Sequence, residues 1–91
     1  MPRVKIVTLA TLYTAAGGFE HTVSVPEGAS ALDAIRRLAS ARPALAREVL
    51  EGEGLRSDIR VLVNGRPVES PSSYRVRDGD VIHLIPPAGG G

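Results

Sequence analysis

Residues 30–39 constrain the fold most, because they read as a capped, single-faced helix with strand-patterned segments on both sides. Ser30 offers a hydroxyl N-cap. Asp33, three residues on, completes a capping-box pattern and sets a negative charge at the positive end of the helix dipole. Leu32, Ile35, Leu38 and Ala39 form one apolar stripe and Asp33, Arg36 and Arg37 lie opposite, so one face of this helix packs on a sheet.

The sheet is written around it. Val4, Ile6 and Thr8 alternate with Arg3, Lys5 and Val7, and the nearly apolar run Leu9-Ala10-Thr11-Leu12 extends a first strand over residues 3–12. Ala15-Ala16-Gly17-Gly18 reads as a reversal, giving a hairpin to a second strand over 19–25 that Pro26-Glu27-Gly28 ends. Pro43 breaks the main helix and starts a short second one over 44–51, with Leu45 and Val49 one turn apart. Ile59, Val61 and Val63 alternate into Asn64-Gly65, the dipeptide best suited to a tight hairpin, and Arg66-Pro67-Val68 returns. Tyr74-Arg75-Val76 precedes the polar turn Asp78-Gly79-Asp80, after which Val81-Ile82-His83-Leu84-Ile85 is an apolar final strand.

Two strands, a crossing helix and further strands share one core if the helix lies diagonally over a mixed sheet. That is an α+β fold, the β-grasp (ubiquitin-like) architecture, here with a four- to five-stranded mixed sheet, one main helix and a short second helix. The first and last strands are expected side by side at the sheet centre, since they are the most apolar.

At 91 residues the chain fits one domain, expected over 1–87 with a glycine tail at 88–91. With 43% hydrophobic and 23% charged residues and a formal net charge of +1, it matches an ordinary globular protein and gives no basis for indiscriminate nucleic-acid binding. Three aromatics, Tyr13, Phe19 and Tyr74, are too few for base-stacking platforms. No apolar stretch approaches a membrane span, and Met1-Pro2-Arg3 leads straight into a strand pattern, so a cytoplasmic location is expected. Cysteine is absent, which removes disulfides, thiolate ligands, cysteine nucleophiles and side-chain persulfides together. Any sulfur the protein handles must be held by another atom.

The candidate reactive group is the carboxylate at the end of Pro86-Pro87-Ala88-Gly89-Gly90-Gly91, where no side chain blocks approach to another protein's active site. Other candidates are weaker. Gly17-Gly18 lacks the remainder of a phosphate-binding loop. Asp78 and Asp80 read as a solvated turn, and His21 and His83 as strand residues without a ligand set, so no metal is assigned. Arg60, Arg66, Arg75 and Arg77 form either a solvated face or a basic patch that docks an acidic partner. Leu62, Ile82 or Leu84 on the same face would mark a protein contact.

In this order, Val61-Leu62-Val63-Asn64-Gly65, Asp78-Gly79-Asp80 before an apolar strand, and Ile85-Pro86-Pro87-Ala88-Gly89-Gly90-Gly91 resemble the sulfur-carrier branch of the ubiquitin-like superfamily. Its representatives are the small subunit of molybdopterin synthase (MoaD) and the thiazole sulfur carrier (ThiS). The resemblance covers the whole chain, and Thr8 to Gly18 looks closer to carriers that feed cysteine synthesis. It implies that the chain is not itself an enzyme and binds no cofactor. A ubiquitin-activating-type adenylyltransferase (MoaB/ThiF/MoeB-like) would use ATP and magnesium to adenylate Gly91, with Gly90, Gly89 and Ala88 threading its channel. A sulfur-donor enzyme would then form a thiocarboxylate, and an acceptor enzyme such as a synthase large subunit would receive the sulfur for molybdopterin, thiamine, cysteine or tRNA-thiolation chemistry. The family pattern ends in two glycines and this chain in three, which leaves Gly91 or a trimmed Gly90 as the working terminus. Two other readings stay open: a protein modifier joined to target lysines through the same glycine, and an interaction module whose glycines are idle.

Overall fold

A computed structural model of the chain describes residues 1–87. Five strands form one mixed sheet: β1 (Arg3–Thr8), β2 (Glu20–Ser24), β5 (Arg60–Val63), β6 (Arg66–Pro67) and β7 (Val81–Ile85), in the order β2-β1-β7-β5-β6. β1 and β7 run parallel at its centre, with Lys5 opposite Val81 and Thr8 opposite Leu84, and antiparallel partners flank them. A mixed sheet, a crossing helix and the first and last strands side by side at the centre are the features the sequence pattern predicts for a β-grasp domain.

Three helices lie among the described residues: α1 (Thr11–Ala16), α2 (Ala31–Ser40) and α3 (Pro43–Val49). Helix α2 begins as read, with Ser30 and Asp33 forming a reciprocal capping box. Its face, Ala31, Ala34, Ile35 and Leu38, packs into a cluster with Val4 and Ile6 of β1, Val61 and Val63 of β5, and Ile82 and Leu84 of β7. Leu45 and Val49 of α3 close one end of this core, with Pro43 in the first turn, where its missing N–H costs nothing.

Two expectations are corrected. The strand expected over 3–12 stops at Thr8, and the chain turns at Ala10 into α1 instead of forming a direct hairpin. Leu12 and Ala16, one helical turn apart, are buried, and Gly17 ends the helix at φ 74°, in the left-handed conformation glycine adopts without a Cβ penalty. The short helix ends at Val49, not residue 51, because Leu50 and Glu51 form β3, which pairs with β4 (Gly54–Leu55) in a separate two-stranded sheet. Ahead of the polar turn, Arg75 makes one bridge to Ser30 that ties the Tyr74-Arg75-Val76 segment to the start of α2.

Candidate functional site

The expected reactive residues, Gly91, Gly90, Gly89 and Ala88, lie outside the described residues, so the geometry available is that of the strand delivering them. β7 is held on both sides: its Leu84 carbonyl accepts from the Leu9 N–H at 3.3 Å, and Ile85 is still in register with Arg60 of β5. Its start is fixed by a knot of polar groups. Asp80, 7% exposed, accepts from the Asn64 Nδ2 at 2.9 Å and the Arg77 N–H at 2.9 Å, and its carbonyl accepts from the Lys5 N–H at 3.0 Å. Asn64 also accepts from the Val81 N–H at 2.9 Å. The strand therefore enters and leaves the centre of the sheet on fixed supports. It ends at Ile85, followed by Pro86-Pro87, two residues that cannot donate a ladder hydrogen bond.

The helices cover one face of the sheet and leave the other without a helix. Residues opposite each other in a register share a face, as do residues two apart along a strand. Val7, His83 and Leu62 are opposite one another across β1, β7 and β5, with Val81 and Ile85 on either side of His83. Val7 is buried, at 5% exposure, whereas Leu62, Val81 and Ile85 are half-buried, so the apolar stripe this face offers runs along β7 and β5 around His83. Arg3, Lys5 and Arg60 share this face, and Glu20 is the anion among them, its carboxylate 3.7 Å from Lys5 Nζ.

This differs from the expected basic patch. Of the four arginines only Arg60 lies on the open face. Arg66 pairs with Val63, which points into the core, and Arg75 bridges to Ser30 on the helix side. Arg77 lies in the turn before Asp80. Arg3 and Lys5, which β1 pairing sets beside β7, supply the positive rim instead. Leu62 is on the face as required, whereas Ile82 and Leu84 are fully buried beneath α2. Asp80 is a buried lock for the strand and not a solvated turn residue, while Asp78 stays exposed and accepts from the Arg3 N–H at 2.8 Å. Both histidines are strand residues: His21 sits 3.1 Å from the Gly18 carbonyl, and His83 faces outward in the stripe. Among the described residues no group of three or more histidine or carboxylate side chains could hold a metal, and no helix is long and apolar enough to cross a membrane. Missed by sequence reasoning are Val7 and His83 as neighbours on this face. Their alternation in β1 and β7 carries the signal, but only the β1–β7 register sets them side by side.

Comparison with known proteins agrees with this architecture. The family model described as the ThiS family matches residues 6–91. The crystal structure of SAMP1 from Haloferax volcanii superposes with a TM-score of 0.87 at 32% identity, covering 98% of this chain and 99% of that one. The solution structure of the small archaeal modifier protein 1 from Methanosarcina acetivorans gives 0.84 at 29% identity, covering 100% and 98%. The CysO of Amycolatopsis orientalis, crystallised in complex with BexX, is matched at a TM-score of 0.75 and 29% identity, with 97% and 99% covered. Among curated proteins none matches significantly. The β-grasp sheet, the Pro-Pro exit from its central strand and the family-model match over residues 6–91 together identify this chain as a member of the ThiS family of small ubiquitin-like proteins.

Proposed function

We propose that the chain is a sulfur carrier whose C-terminal glycine, Gly91, is activated by a ubiquitin-activating-type adenylyltransferase and converted to a thiocarboxylate. The observation that carries this reading is the delivery geometry in a ThiS-family chain: the central strand β7, held on both edges, ends in Pro86-Pro87 and hands on to Ala88 and three glycines. A carboxylate is a poor electrophile because its oxygen leaves badly, and joining it to AMP supplies a good leaving group. ATP and magnesium belong to the partner enzyme. A sulfur nucleophile then displaces AMP, leaving sulfur on the terminal carbonyl carbon for transfer to an acceptor enzyme. The chain's part is to bind and position as a co-substrate. The four residues after Pro87 span at most about 14 Å when fully extended, so an enzyme holding Gly91 also rests against the exit end of the sheet. The apolar stripe and its basic rim are the surface it meets, and they fit a partner with an apolar centre and acidic edges.

A second reading has its own support: the likeness to two proteins named as small archaeal modifiers fits conjugation of the same activated glycine to target lysines. Both chemistries begin with adenylation. Chain-dependent exchange of pyrophosphate into ATP by the cognate adenylyltransferase tests that shared step. Loss of exchange on removing Gly90 and Gly91 is expected, and undiminished exchange would contradict both readings. Conjugates of higher mass in cell extract, abolished by the same truncation, mark the modifier.

A further inference from the structure

At the centre of the open face, His83 is a polar residue inside an apolar stripe, between Val7 on β1 and Leu62 on β5. Its Nδ1 is buried and has no hydrogen-bond partner among the described residues. The residue as a whole is partly exposed, and its Nε2 is neither buried without a partner nor bonded within the described chain, so the accessible polar edge of the ring is Nε2. Orphaned buried N–H groups are rarer and costlier than bare acceptors, which favours Nδ1 as the bare acceptor and Nε2 as the N–H donor. A hydrogen-bond donor therefore stands among the half-buried apolar side chains of Leu62, Val81 and Ile85, with charged groups at the rim. The nearest charged side chains on this face, Lys5 and Arg60, are diagonal neighbours across β1 and β5, and Glu20 lies beyond Val7, engaged with Lys5.

We propose that His83 is the specificity contact of this face, donating through Nε2 to a carbonyl or carboxylate that the adenylyltransferase presents within an apolar ring; the inference rests on the carrier reading above. That enzyme is the occupant because His83 lies two residues, about 7 Å along the strand, from the end of β7, inside the footprint of any partner that holds the tail. The positive rim also selects an acidic surround. An acceptor buried against this stripe without a donor opposite it would stay unsatisfied, so His83 rewards the partner that carries an acceptor there and penalises an all-apolar surface.

Calorimetric titration of the purified adenylyltransferase with the wild type and with His83→Phe and His83→Gln variants tests this. Phe keeps the apolar area and loses the donor, and is expected to weaken binding about tenfold; Gln keeps an amide donor and is expected to recover most of that loss. Binding of the Phe variant at the wild-type level, or tighter, would overturn the inference alone. Absence of any binding by the wild type would overturn the carrier reading and the inference with it. Should the variants fail to fold, nitrogen chemical shifts of the wild-type imidazole in mildly alkaline buffer decide: a proton on Nε2 is expected, and a proton on Nδ1 would overturn the assignment.

Discussion

At Ser30 two hydrogen bonds cross the helix start in opposite directions: the Asp33 N–H donates to Ser30 Oγ at 3.0 Å, and the Ser30 N–H donates to Asp33 Oδ2 at 2.9 Å. The bond from the Ser30 backbone is the main cause holding the Asp33 carboxyl below its ordinary 3.8. The Ser30 side chain, Arg36 and Arg75 add to it, and desolvation opposes it. A carboxyl depressed in the folded state contributes stability that is complete above its ordinary value and is lost as pH falls through the lower folded value. Ser30→Ala should cost about 1 kcal/mol at neutral pH in urea unfolding, and the stability difference between wild type and Asp33→Asn should shrink on strong acidification. Ala10 carries the opposite sign. It is a non-glycine residue at φ 52°, ψ −128° where the chain leaves β1, and it makes no side-chain cap. Relief of about 1–2 kcal/mol of Cβ strain outweighs the roughly 0.5–1 kcal/mol of backbone entropy that glycine costs. Ala10→Gly should therefore raise the melting temperature, and a lowered one would show that Ala10 is unstrained. The capping box was plain in the sequence because it is local. The role of Asp80 was not, since its partners are distant in sequence, Asn64 in the turn after β5 and Lys5 in β1, and nothing in Asp78-Gly79-Asp80 distinguishes the buried carboxylate from the exposed one.

Among the elements, β7 joins the core to the open face. Ile82 and Leu84 point down under α2 while Val81, His83 and Ile85 point out, so substitutions on its two faces should separate stability from binding. Leu84→Ala should destabilise by about 3 kcal/mol through the lost transfer energy and the cavity left behind. Arg60→Glu, exposed on the same sheet's open face, should leave stability within about 0.5 kcal/mol while raising the KM of the adenylyltransferase for the chain. An unchanged KM would remove the basic rim from the docking surface. Strand periods and the helix stripe made most elements readable in advance. Helix α1 was not, because its six residues are too few to show a period and its stability comes from burying Leu12 and Ala16 against the core. The signal available was Gly17, a left-handed helix end following two residues spaced one turn apart. The open face needed tertiary information for the same reason: Arg3 and Lys5 replaced Arg66, Arg75 and Arg77 in its rim once the parallel β1–β7 pairing was known.

At the scale of the whole molecule, the central strand of the sheet leads in sequence to a side-chain-poor glycine segment. The sheet order could be expected from the sequence of elements, and the Pro-Pro exit from the central strand followed from it; the direction of the open face and the identity of its residues did not. Everything the proposed chemistry asks of the folded part concerns position, and the chemistry itself falls on Gly91. The most direct test is the intact mass of the chain after incubation with its adenylyltransferase, ATP and a sulfur-donor enzyme. The carrier reading predicts a gain equal to the replacement of one oxygen by sulfur, mapped to the C-terminal residue and absent when Gly90 and Gly91 are removed. An unchanged mass in a reaction that consumes ATP, or sulfur found on any residue other than the terminal glycine, would contradict it.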